Sequence, residues 1–150
     1  MTLVRVLALG VAAVTLTVAT ADDKPAPLDP AKLVGDWSIV EGLKAGEKSG
    51  DDAKKGTVIV DKEKITLKSD DMTFAFSYTL DAKKSPAEID LKIVEPEGLA
   101  GATAKGIIKL EKDKVTLCYH PMMGDRPTKF ESTKDNGFYL FTMEKKKSDK

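Results

Sequence analysis

The chain has 150 residues, with 24 basic and 24 acidic side chains balancing to a formal net charge of zero at neutral pH. That balance excludes a global field for nucleic acid, and the length suits one domain. With Cys118 as the single cysteine, an intramolecular disulfide is excluded and the fold must stand on a hydrophobic core.

The N-terminus reads as a secretory leader. Arg5 supplies the positive charge, 6–18 is an uncharged, mainly apolar run, and Ala19-Thr20-Ala21 places small residues where a signal peptidase reads them. As a helix the run covers roughly 20 Å, short of a hydrocarbon core of ~30 Å. Cleavage after Ala21 is therefore expected, giving a secreted or periplasmic protein with no stable membrane insertion afterwards. Residues 22–32, with Pro25, Pro27 and Pro30, read as a flexible linker. The barrel domain is assigned to 33–145 and a basic tail to 146–150.

The first strand is expected at 34–41, with Trp37 and Ile39 on one face. The stretch 42–55 reads as a long loop in which Leu43 is the one large apolar residue. Strands are expected at 56–61 and 64–68 across a tight turn. The clearest strand is 72–81, where Phe74, Phe76, Tyr78 and Leu80 alternate with Thr73, Ala75, Ser77 and Thr79. Strand 88–94 alternates Ile89, Leu91 and Ile93 with Glu88, Asp90 and Lys92. A Gly/Pro loop at 95–102 precedes strand 103–111, in which Gly106 suggests a bulge or corner. Strand 114–120 puts Val115, Leu117 and Tyr119 on one face. A long connection, 121–136, holds a possible short extra strand at 126–130. Asn136-Gly137 then signals a tight turn before strand 138–145.

Eight sequential strands with one apolar face predict an all-β, antiparallel up-and-down barrel, with a two-sheet sandwich as the alternative. The pair Gly35 and Trp37, the long first loop and the eight strands resemble the lipocalin-type (calycin) barrels. The domain also resembles an uncharacterised family of small secreted domains abundant in planctomycete bacteria. The matching pieces are Leu33, Gly35 and Trp37, then Pro86 to Leu91, Gly106 to Leu110, Val115 to Cys118, and Arg126 to Phe130. That family carries no established activity, so the resemblance implies fold and compartment.

Chemistry is sparse. Cys118 and His120 share a strand face and sit beside Met122 and Met123, a soft donor set that invites copper. A blue-copper or zinc shell needs further ligands that the sequence does not offer. No metal, cofactor or catalytic residue is assigned, and an enzyme is not expected. Arg126 is the one arginine outside the leader. It is expected to act structurally, pairing with Asp90 or lying over Trp37, with anion binding at a barrel mouth as the alternative. Gly35, Trp37, Asp90, Gly106, Cys118 and Arg126 form the structural set.

Two functions follow. One is an extracytoplasmic interaction or inhibitor-like module, a monomer with a protein partner. The other is a carrier of a small apolar molecule, its ligand held by Leu43, Phe74, Phe76, Tyr78 and Arg126. The bulky inward positions predict a largely filled interior and favour the first.

Overall fold

Alternation at a period of two sets every wall of this molecule, because successive strand residues point to opposite faces of a sheet. The computed structural model describes residues 27–147; the expected leader 1–21, linker residues 22–26 and tail residues 148–150 lie outside them. A helical turn, α1 (Pro30–Leu33), leads into β1 (Gly35–Lys44). The short β2 (Glu47–Lys48) and the helical turn α2 (Asp51–Lys54) follow, then β3 (Thr57–Val60), β4 (Lys64–Lys68), β5 (Thr73–Asp81) and β6 (Ala87–Glu95). A 3-10 turn (Glu97–Leu99) precedes β7 (Thr103–Glu111), β8 (Lys114–Tyr119) and β9 (Tyr139–Lys145).

The sheet runs β2-β1-β3-β4-β5-β6-β7-β8-β9, and β9 pairs back onto β1. That last pairing closes eight staves into an antiparallel up-and-down barrel and rules out the two-sheet sandwich. Closure also removes the free sheet edges that a chain of sequential strands would otherwise expose. The strand β3 meets β1 only from Gly35 to Ser38. Above that level β2 takes its place, pairing Leu43 with Lys48.

The two ends differ. One end carries the short turns at 61–63, 82–86 and 112–113, together with α1. The other carries the connections at 45–56, 69–72, 96–102 and 120–138, three of them long. The first end is closed. Leu28 and Leu33 are buried there, Asp29 caps α1 by accepting from the Ala31 N–H (3.0 Å), and Pro30 opens the turn. The indole Nε1 of Trp37 donates to the Leu33 carbonyl at 2.9 Å, and the ring is 1% exposed. Residues 28–32 thus correct the flexible-linker reading: buried Leu28 and a capped turn, together with Leu33 just after them, give the segment enough apolar surface to dock as the barrel's plug.

Three further corrections concern strand bounds. The stretch 42–55 is not a bare loop, since β1 continues through Lys44 and β2 and α2 fill much of the remainder. The suggested strand at 126–130 does not form, because this segment lies outside the ladder and is held by side chains instead. Gly106 marks no bulge, and its register with β6 and β8 is regular. A Cβ there would lie 2.7 Å from the Cys118 carbonyl oxygen, so the glycine permits a close approach of β8. The bulges fall elsewhere, between Ile39 and Glu41 and between Ala75 and Phe76.

A second apolar cluster lies outside the barrel. Pairing across β1, β9, β8 and β7 sets Leu43, Leu140, Cys118 and Ile107 in one outward row. The connection from β8 to β9 straps over this row. Pro127 is fully buried, and the Cys118 thiol, 0% exposed, approaches the Glu131 carbonyl at 3.6 Å. The strap is pinned at both ends. Ser132 Oγ accepts from the Gly46 N–H (2.9 Å) and donates to the Phe138 carbonyl (2.6 Å). At the other end, Arg126 Nη1 donates to the carbonyls of Gly106 (2.7 Å) and Ile89 (3.1 Å), while Nη2 reaches Asp90 at 2.6 Å and Nε lies 3.6 Å from Glu88.

Candidate functional site

The filled interior expected from bulky inward residues is not what the barrel contains. It encloses a cavity of about 440 Å³. This lies within the usual size range of small-molecule sites, and eight strands are enough to hold one small ligand. The reason is geometric: strand number and stagger set the barrel radius, and large side chains can lie along the wall instead of meeting on the axis. Phe74 and Phe76 stack at 6.2 Å with planes 15° apart, and Tyr119 and Phe141 stack at 6.2 Å with planes 20° apart. These rings line the space without crossing it.

Towards the closed end the lining is mainly aliphatic around Trp37, with Leu33, Val60, Ile89 and Met143 beside it. Towards the open end it is aromatic, with Phe74, Phe76, Tyr119, Tyr139 and Phe141. Leu99, Ala102 and Thr103 enter from the 96–102 connection and the start of β7, and Pro121 from the strap. Lys44 is the one charged side chain in this lining. Its Nζ sits 5.8 Å from the centroid of the Tyr139 ring, within reach of a cation–π contact.

Of the expected ligand contacts, Phe74, Phe76 and Tyr78 line the cavity. Tyr78 also ties the wall to the closed end, its hydroxyl donating to the Asp61 carbonyl at 2.6 Å. Burial, then the nearby Asp61 carboxylate, raise the pKa of that phenol. Leu43 does not line the cavity. The bulge at Val40 advances the alternation by one residue, so Gly42 and Lys44 point inward and Leu43 joins the outer row. Arg126 is also absent from the lining; its guanidinium is engaged on the outer face by two carbonyls and two carboxylates. It does not lie over Trp37, where Lys145 Nζ sits instead, 5.8 Å from the ring centroid. Asp90 is its partner, and Gly106 supplies one of the carbonyls.

The lining residues that the sequence reading missed include Lys44, Leu99, Pro121, Tyr139 and Phe141. A signal for Lys44 was present in Gly42, which interrupts the alternation of β1. A Cβ at Gly42 would lie 2.9 Å from the Phe141 ring, so this glycine makes room for an aromatic wall.

The Cys118–His120 cluster faces away from the cavity. Burial pushes the Cys118 thiol pKa up, which opposes nucleophilic use. His120 packs edge-on against Phe138 at 5.7 Å, and its Nδ1 accepts from the Met122 N–H at 3.2 Å. Among the described residues, no group of three His, Cys, Asp or Glu side chains is placed to hold a metal ion.

An eight-stranded antiparallel up-and-down barrel, plugged at one end and hollow at the other, is the lipocalin-like (calycin) architecture. Set against protein-family models, curated proteins and solved structures, the chain gives no match in any of the three comparisons. Among the described residues, no helix is long and apolar enough to cross a membrane.

Proposed function

We propose that this barrel is a carrier of one small, predominantly apolar ligand. The observation that carries the reading is the cavity of about 440 Å³ with a near-continuous aliphatic and aromatic lining. A dry apolar space gains when an apolar molecule replaces the empty volume, and this lining offers little to hold water. The single charged residue at the aromatic end, Lys44, favours a ligand with an apolar body and an anionic or hydrogen-bond-accepting head. Its stem packs along the apolar wall while the ammonium stays near the mouth. The interaction-module reading rested on a filled interior, and the cavity removes that support.

Compartment and kinship belong to the same proposal. Arg5, the apolar run and Ala19-Thr20-Ala21 support export. The motifs from Leu33 to Phe130 support kinship with the secreted planctomycete domains. N-terminal sequencing of exported protein should begin at Asp22; an intact Met1 on a membrane-bound form would contradict export. The carrier reading is tested by native mass spectrometry of protein purified from its own host. A non-covalent adduct of one small molecule per chain, extractable into organic solvent, is the expected result. A bare chain that also takes up no added acyl ligand would count against it.

A further inference from the structure

The ends of the barrel differ in their exposed chemistry as well as in their loops. Among the described residues the exposed large hydrophobics are Val34, Met72, Val94, Leu99, Met122 and Met123. All but Val34 belong to the open end. Met72 is in the β4–β5 connection, Val94 lies next to the end of β6, Leu99 is in the 3-10 turn, and Met122 and Met123 begin the strap just above β8. Met122 and Met123 are 77% and 84% exposed. The turns of the closed end carry Asp61, Lys62, Glu63, Lys83, Lys84, Lys112 and Asp113 and no exposed large apolar residue.

We propose that the open rim docks into the interface of a lipid bilayer, so that the cavity loads and unloads against the membrane. This deepens the carrier reading and rests on it. Three observations select lipid as the occupant. The apolar side chains are spread over three separate connections and one strand end, with Met122 and Met123 adjacent on one of them, an arrangement suited to a fluid interface more than to one flat protein patch. They border the mouth of an apolar cavity, since Leu99 and Pro121 belong both to its lining and to these connections. Unbranched methionines and a leucine on loop tips can enter the acyl boundary without a fixed partner shape.

Charge then selects the kind of bilayer. The connections at this end carry acidic residues at Glu47, Asp51, Asp52, Asp70, Asp71, Glu97, Asp125, Glu131 and Asp135, which outnumber their cations Lys48, Lys54, Lys55, Arg126, Lys129 and Lys134. An anionic surface would be repelled, so binding should favour zwitterionic lipid and should not weaken with added salt.

The test uses the full chain and vesicles of zwitterionic phosphatidylcholine. In Met123→Trp, tryptophan emission should shift to the blue on adding vesicles and be quenched by nitroxide-labelled lipid. Trp37, buried at the closed end, should stay unquenched. Adding Met72→Ser and Met122→Ser to that variant should lower the partition about tenfold or more, given the value of large apolar side chains in transfer. A position-123 signal unmoved by vesicles overturns the proposal, even if the chain sediments with them through its N-terminal run. A blue shift that grows with protein concentration and needs no vesicles also overturns it, in favour of self-association. Binding of a fluorescent fatty acid, measured without vesicles, is read separately: probe binding without rim insertion sinks the docking proposal alone, and rim insertion without probe binding sinks the carrier reading and with it the loading of the cavity from the membrane.

Discussion

At the scale of single residues, Arg126 shows how one side chain can hold two strands and a strap. Its fork satisfies the Ile89 and Gly106 carbonyls and reaches Asp90 and Glu88. The two carboxylate contacts are partly exposed and weak on their own, so the carbonyl bonds carry most of the effect. Arg126→Ala should cost about 1–3 kcal/mol in chemical denaturation, as expected for hydrogen bonds to a charged donor. Lysine, with a compact ammonium, should restore only part of it. Tyr119 provides a pH signature. Burial in the cavity wall, with Tyr139 beside it, raises the pKa of this phenol above its ordinary value of 10. The folded chain then holds a proton that the unfolded chain releases above about pH 10, so stability is complete below that pH and falls as pH rises past it. Replacing Tyr119 with Phe should flatten the alkaline limb of a thermal-melting profile; an unchanged limb would show that Tyr119 ionises as freely folded as unfolded.

At the scale of elements, the staves were legible because hydrophobic alternation reports directly on sheet faces. The expected strand 103–111 coincides with β7, and 72–81 differs from β5 by one residue. The elements that escaped were those whose form depends on distant contacts. The plug of Leu28 and α1 looks like a proline-rich linker until the barrel floor exists for it to cover. The strap has no periodicity of its own and takes its shape from the outer row at Ile107, Cys118 and Leu140. Leu43 was misplaced because 42–55 was read as a loop, whereas β1 continues through Lys44; the bulge at Val40, which leaves little trace in local sequence, then turns Leu43 to the outer face. The plug gives Trp37 its role: the buried ring is bonded to the Leu33 carbonyl of α1. Trp37→Ala should cost ~3–5 kcal/mol, the usual range for a buried large aromatic. A loss below ~1 kcal/mol would mean that the closed end does not depend on the plug.

For the whole molecule, the decisive quantity was the one hardest to read from sequence. Bulky inward residues were visible, but barrel radius depends on strand stagger, which residue volumes do not report. Function therefore turns on whether the space among Phe74, Phe76, Tyr119 and Phe141 takes up a ligand. The most direct measurement is a titration of the purified chain with a fluorescent fatty acid, followed by melting with and without it. The account predicts saturable binding of one probe per chain at micromolar affinity or tighter, with a rise in Tm through linkage. Ala104→Phe, which fills the cavity from a small wall position, should weaken binding at least tenfold while the chain stays folded. Absence of saturable binding, or binding undiminished in the Ala104→Phe variant, would contradict the claim that this cavity is the site.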